Sequence, residues 1–173
     1  MIRALVLAGT LAAAPLTAAL AQEAGPTDAE IAHIAYTAGQ LDIDAARQAL
    51  EKSTSPEVRA FAELMARDHA AVNVQALALV GRLQVTPQAN PTSTALTEAA
   101  AATHQRLAGL NGTAFDAAYV ANEVAYHRTV NEALNGTLIP NADNTELKSL
   151  LEAGLTLFRE HQTHAEHLAR DVR

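Results

Sequence analysis

Val58, Ala62, Met65, His69, Val72, Ala76, Leu79 and Leu83 recur every three or four residues, over roughly seven turns at helical spacing. A stripe this long has one solution, a helix with one face in a core, because a strand would send alternate members to opposite sides. Ser55 as cap and Pro56 in the first helical position set its start. Three further stretches follow the same pattern. Thr27-Asp28-Ala29-Glu30 reads as a capping box opening a helix that runs to about Lys52. Its stripe is Ile31, Ala35, Ala38, Leu41, Ala45 and Ala49, with Asp42 inward or at the core edge. Thr113-Ala114-Phe115-Asp116 opens a third helix to about Leu134, on which Asp116, Val120, Glu123, His127, Val130 and Leu134 share one side. After a loop at Leu138-Ile139-Pro140, a fourth helix starts near Asp143, with Leu147, Leu151, Gly154, Phe158, His161, Ala165 and Leu168 as its stripe.

The first two helices are separated by a short turn and should form an antiparallel hairpin. Val85 to Thr113 is different in kind. Pro87, Asn90 and Pro91 interrupt it, Thr92-Ser93-Thr94 forms a capping cluster, and only a short alanine-rich helix from about Thr94 to Leu110 is expected. Such a segment can cross along the outside of a bundle and start the next long helix at the far end. The expected fold is all-α: a four-helix bundle with a long crossover containing a short extra helix. Apolar residues reach 49 % mainly through alanine, and aromatics are only 3 %, which suits close helix packing. Cysteine is absent, so disulfides, thiolate metal sites and cysteine nucleophiles are excluded.

Met1 to Ala21 reads as a secretory signal peptide. Arg3 is its one charge, an apolar run follows to Leu20, and Ala19-Leu20-Ala21 supplies a small-x-small cleavage signal. The expected mature domain is residues 22–173, in the periplasm or secreted. Losing Arg3 makes it one unit more negative than the −7 of the whole chain. That charge disfavours nucleic acid and anionic membrane as partners. No stretch after the leader is long and apolar enough to insert into a bilayer.

Ionisable groups sit on the apolar stripes near the middle of each long helix: Asp42, His69, the pair Glu123 and His127, and His161, with Asp68 as a possible extra. Mid-helix residues of a bundle meet at one level, so two carboxylates and three imidazoles are expected in one zone. Fe, Cu, Zn and Mn sites use this mixture. Each residue also has an ordinary explanation. Asp42 could accept a bond from a tyrosine, Asp68 could orient His69, and Glu123 with His127 could be an i,i+4 pair. His33, His104 and His167 lie outside the stripes and read as solvated.

Phe61-Ala62-Glu63-Leu64-Met65-Ala66-Arg67-Asp68-His69 with Asn73, Phe115-Asp116-Ala117-Ala118-Tyr119-Val120 with His127, and Leu155 to His161 together resemble the motifs of the bacterial family called domain of unknown function 4142. The resemblance spans nearly all of the mature chain. It implies an exported, ferritin-like four-helix fold and no established activity. Asp42 stands where that family usually has Glu, and Thr156 where it has Pro. Catalytic di-iron ferritin-like proteins use Glu-x-x-His pairs on two helices, and this chain has none among its site residues. Three readings remain open: a metal-binding module without catalysis, an envelope stress or interaction protein with a structural polar core, and, weakest, a metal-dependent redox enzyme.

Overall fold

The computed structural model describes residues 25–172. The expected signal peptide and its cleavage site lie outside them. Four long helices form the bundle: α1 (Asp28–Lys52), α2 (Pro56–Leu83), α4 (Gly112–Ala133) and α6 (Thr145–Asp171). The crossover helix is α3 (Pro91–Ala108), and a single turn, α5 (Ile139–Asn141), precedes α6. No strand occurs among the described residues. The all-α, four-helix architecture with a crossover helix is the one the stripes predict.

The chain direction follows from its ties. Gln88 N–H donates to the Ala29 carbonyl at 2.9 Å, so the end of α2 returns to the start of α1. Lys52 Nζ donates to the Ala108 carbonyl at 2.9 Å, so α3 runs alongside α1 to its far end. Asp28 then accepts from the Asp143 and Asn144 N–H groups at 2.9 and 3.0 Å, which fixes the start of α6 beside the start of α1. Up, down, down, up is the resulting order of α1, α2, α4 and α6. α1 packs mainly on α2, and α4 on α6.

Local chemistry explains the starts, with corrections. The Thr27–Glu30 box forms, and Ser55 caps α2 as expected. α3 begins earlier than Thr94, because Asn90 and Ser93 make a capping box and Pro91 fits the first turn. The Thr113 box does not form; Asn111 takes the cap position without a side-chain bond, and Gly112 adopts φ +56°, which a glycine tolerates. Leu138-Ile139-Pro140 is not a loop. The helix widens into a π-turn over Leu134–Leu138 and continues into α5. Leu134 and Leu138 are buried there, and holding both in the core outweighs the Asn135-Gly136 stop signal.

The α1 stripe is rotated from the sequence expectation. Ile31, Ile34, Ala38, Asp42, Ala46 and Ala49 are buried, while Leu41 is only half-buried. α3 covers part of the face expected to be wet, so His33 is half-buried and Gln48 is buried, donating to the His104 carbonyl at 3.0 Å. His104 and His167 are exposed as expected. Only Ser93 and Leu107 of α3 are buried. Few buried apolar groups mean a low local opening free energy. Amide exchange should therefore release α3 before the four long helices. Equal protection in α3 and α1 would contradict this packing.

Candidate metal centre

Two apolar clusters fill the two ends of the bundle. Phe61, Met65, Phe115, Tyr119 and Leu168 belong to one, and Ile31, Leu79, Leu147, Leu151 and Phe158 to the other. Between them lies a polar layer. Asp42, His69, Glu123, His127 and His161 are each at most 2 % exposed, so the four long helices bring the five expected side chains together at one level. Asp68 is at the margin, with 18 % of its side chain exposed.

The layer has a defined proton arrangement. His127 Nδ1 lies 3.0 Å from the carbonyl of Glu123 one turn earlier. A carbonyl only accepts, so Nδ1 carries the proton. Burial lowers the His127 pKa to about 4, leaving a neutral ring whose Nε2 is a free electron pair. His69 Nε2 donates towards that pair across 3.4 Å. His161 Nε2 donates to the Asp68 carboxylate at 3.1 Å, which leaves its Nδ1 buried and without a partner. Burial also lowers the His161 pKa, against the pull of Asp68. Asp68 therefore orients His161 and not His69. A histidine whose second nitrogen is bound to a carboxylate or carbonyl is held as metal-ligating histidines are held.

The carboxylates divide into two states. Burial pushes the Asp42 carboxyl up, but the adjacent imidazoles, His69 foremost, outweigh it and keep the group ionised. Burial, reinforced by the charge of Asp42, raises Glu123 well above the carboxylate range. Asp42 Oδ2 approaches His69 Nε2 to 3.0 Å and His127 Nε2 to 3.4 Å. Neither approach is aligned as a hydrogen bond, and both Asp42 oxygens and both Glu123 oxygens lack a partner among the described residues. Tyrosine does not supply one. Tyr126 donates to the Ala38 carbonyl at 2.7 Å, and the buried Tyr119 hydroxyl is itself unpartnered. The Glu123–His127 side-chain contact is loose, at 3.7 Å.

Ligand atoms gather in two overlapping groups, each with its atoms within 4.8 Å of one another: His69 with His127 and His161, and Asp42 with Glu123 and His127. These buried groups could hold a metal. The carboxylate side also meets a cavity of about 640 Å³ beneath α3, lined by Asp42 and Glu123 inside and by Asp44, Arg47 and Glu51 along α1.

The sequence profile described as Domain of unknown function (DUF4142) matches residues 13–168. The chain belongs to this family. No curated protein matches it. Among solved structures, a DUF305 protein of Streptomyces coelicolor, described as secreted, superposes with a TM-score of 0.71. It is 13 % identical, and the alignment covers 83 % of this chain and 91 % of that one. At that identity the likeness shows the helical fold alone. The three stretches that carry the family resemblance supply residues of the layer and its margin: Asp68, His69 and Asn73 on α2, His127 on α4, and Phe158 and His161 on α6.

Two supporting side chains were not legible as such. Phe158 stacks on His69 at 4.6 Å between centroids with 5° between planes. Asn73 packs against Gly39, and its side-chain amide fills the space that a Cβ there would take, so a side chain at this position would displace Asn73. Phe158 lies three residues before His161 on the same stripe, and that spacing was the available signal.

Proposed function

We propose that this chain is an exported ferritin-like module that holds one transition-metal ion in its core, through Asp42, His69, His127 and His161, with Glu123 beside them. The observation that carries this reading is a buried layer in which five ionisable side chains face one another and most of their polar atoms lack a partner among the described residues. Asp42 Oδ2 and His127 Nε2 are 3.4 Å apart with no proton between them. Burying such a pair is costly without a cation. Asp42 Oδ2, His69 Nε2 and His127 Nε2 stand 3.0, 3.4 and 3.4 Å apart, and with the His69 proton moved to its unpartnered Nδ1 all three would offer an electron pair. Ligand atoms about 2.0–2.1 Å from a tetrahedral ion are spaced by roughly 3.3 Å, so the triangle has the size of one face of such a site. His161 and Glu123 flank it. Three imidazoles to two carboxylates differ from the carboxylate-rich di-iron set, and Zn(II) or Cu(II) suits the donors better than a pair of irons.

A structural layer that fixes bundle register is the second reading. The Asp68–His161 bond and the Asn131 side chain bonded to Gln162 at 2.9 Å favour it. A register-fixing network satisfies its own members, however, and this layer leaves both Glu123 oxygens, His69 Nδ1 and His161 Nδ1 without partners. Elemental analysis of protein taken from its own host should find one metal ion per chain, and X-ray absorption should find a shell of N and O donors rich in imidazole. Metal-free protein that also refuses Zn(II) and Cu(II) would leave the structural reading standing.

Export rests on the leader-like residues 1–21 and on the secreted description of the Streptomyces coelicolor protein with the same fold. No described helix is long and apolar enough to cross a membrane. Mass spectrometry of the mature protein should place its first residue at Gln22. An intact Met1 in the membrane fraction would refute export with cleavage.

A further inference from the structure

A second cavity, of about 620 Å³, opens on the opposite, imidazole side of the polar layer. His69 and His127 close its inner end, and Pro26, Glu30, Asn90 and Thr92 ring the other. Along α2 it follows the helix from His69 to Val80, and along α6 from Leu147 to Phe158, about 16 Å of helix in each case. The cavity is therefore elongated along the bundle axis. It exists because small residues stand where a bundle core usually carries large ones: Ala35, Ala38 and Gly39 on α1, Ala76 on α2, Ala133 on α4 and Gly154 on α6. A cleft with apolar walls that is open at one end leaves those walls against water, and a ligand that covered them would be held by the hydrophobic effect. Six small residues on four helices facing one chamber point to an occupant.

We propose that this chamber binds an uncharged, elongated hydrocarbon molecule, a single alkyl or acyl chain with a neutral polar head. The walls are Ile34, Val72, Val130, Leu150 and Leu151, and no Lys or Arg is among the described lining residues. An anionic head thus has no cation to meet, and Glu30 at the mouth would repel it. The Asn90 amide is already engaged, donating to the Glu30 and Gln88 carbonyls and accepting from the Ser93 N–H, so the Thr92 hydroxyl is the group that suits an alcohol, amide or ester there. Tyr126 brings no free hydroxyl hydrogen, since it already donates to Ala38. The size falls within the roughly 300–1,000 Å³ of small-molecule sites. The apolar walls stand whether or not a metal lies beyond the inner end, so the proposal does not rest on the metal reading.

The test uses the mature full-length protein, metal-stripped and Zn(II)-loaded, titrated with the uncharged fluorophore N-phenylnaphthylamine. A saturable rise in fluorescence with one probe per chain, displaced by dodecanol, is expected in both forms. A Cβ at Gly154 would meet only the Phe158 ring, at 3.5 Å, with open space beyond. Gly154→Leu should therefore fold and weaken probe binding more than tenfold, and Ala76→Leu on a facing wall should do the same if Gly154→Leu does not fold. Absence of saturable binding, or failure of dodecanol to displace the probe, overturns the proposal. So does wild-type binding by a folded Gly154→Leu or Ala76→Leu protein. Binding that appears only after residues 22–24 are deleted would make the chain's own amino end the occupant, and overturns it equally. Dodecanol binding without any metal response would leave this proposal intact while the metal reading fell.

Discussion

Adding Zn(II) or Cu(II) to metal-stripped protein should raise its melting temperature by several degrees. An ion that binds only the folded state adds RT ln(1 + [L]/Kd), about 2.7 kcal/mol at a hundredfold excess over Kd. At about 2–4 °C per kcal/mol for a chain of this size, the shift is roughly 5–10 °C. His127→Ala and His161→Ala should each remove most of it. His127 belongs to both ligand groups, and His161 is the imidazole that Asp68 holds in place. The same two variants should be less stable without metal by about 1–3 kcal/mol, because a buried partner is left unsatisfied. His164 and His167 are exposed and supply the control: replacing both should leave the shift untouched. Equal shifts in wild type, His127→Ala and His161→Ala would mean surface binding, and the core site would be lost as an explanation.

Phe158→Ala should be the most damaging single truncation in the layer, costing about 3–5 kcal/mol in metal-free protein. The ring is 8 % exposed, packs within the apolar cluster towards the start of α1, and stacks on His69 at 4.6 Å. Its loss would enlarge the adjoining 620 Å³ cavity and leave the imidazole without its wall. Phe158→Leu keeps most of the volume and should cost far less, since volume-conserving swaps are tolerated best. Urea denaturation with an unchanged slope is the measurement. A loss below 1 kcal/mol for Phe158→Ala would show that the ring does not brace the layer.

The sequence made the layer readable where the stripes are strong. His69, Glu123, His127 and His161 each replace an apolar residue within an otherwise regular stripe, so periodicity alone places them inward. Asp42 was harder. α1 is alanine-rich on several faces, and alanine barely distinguishes inside from outside. Its burial was settled by α3 lying alongside, which turned Gln48 inward and rotated the stripe. The role of Asp68 was misread because sequence shows only its neighbour, His69. The residue it serves, His161, is 93 positions away and meets it across the α2–α6 contact. The π-turn at Leu134–Leu138 was hidden for a similar reason. Asn-Gly is a stop signal by local propensity, and burial of two leucines overrode it.

The two apolar clusters are separated by a stratum of five ionisable side chains. Apolar contact is what makes the parts of a small domain melt together, and here that contact is interrupted across the middle of the molecule. Each end can then open with a free energy of its own, so the two-state approximation is weakest for the unligated chain. An ion shared by four helices would tie the ends into one unit, and the breadth of the melting transition would narrow as well as move. Occupancy of the middle would thereby be felt at both ends of the bundle, including where α3 lies against α1, without any change in fold.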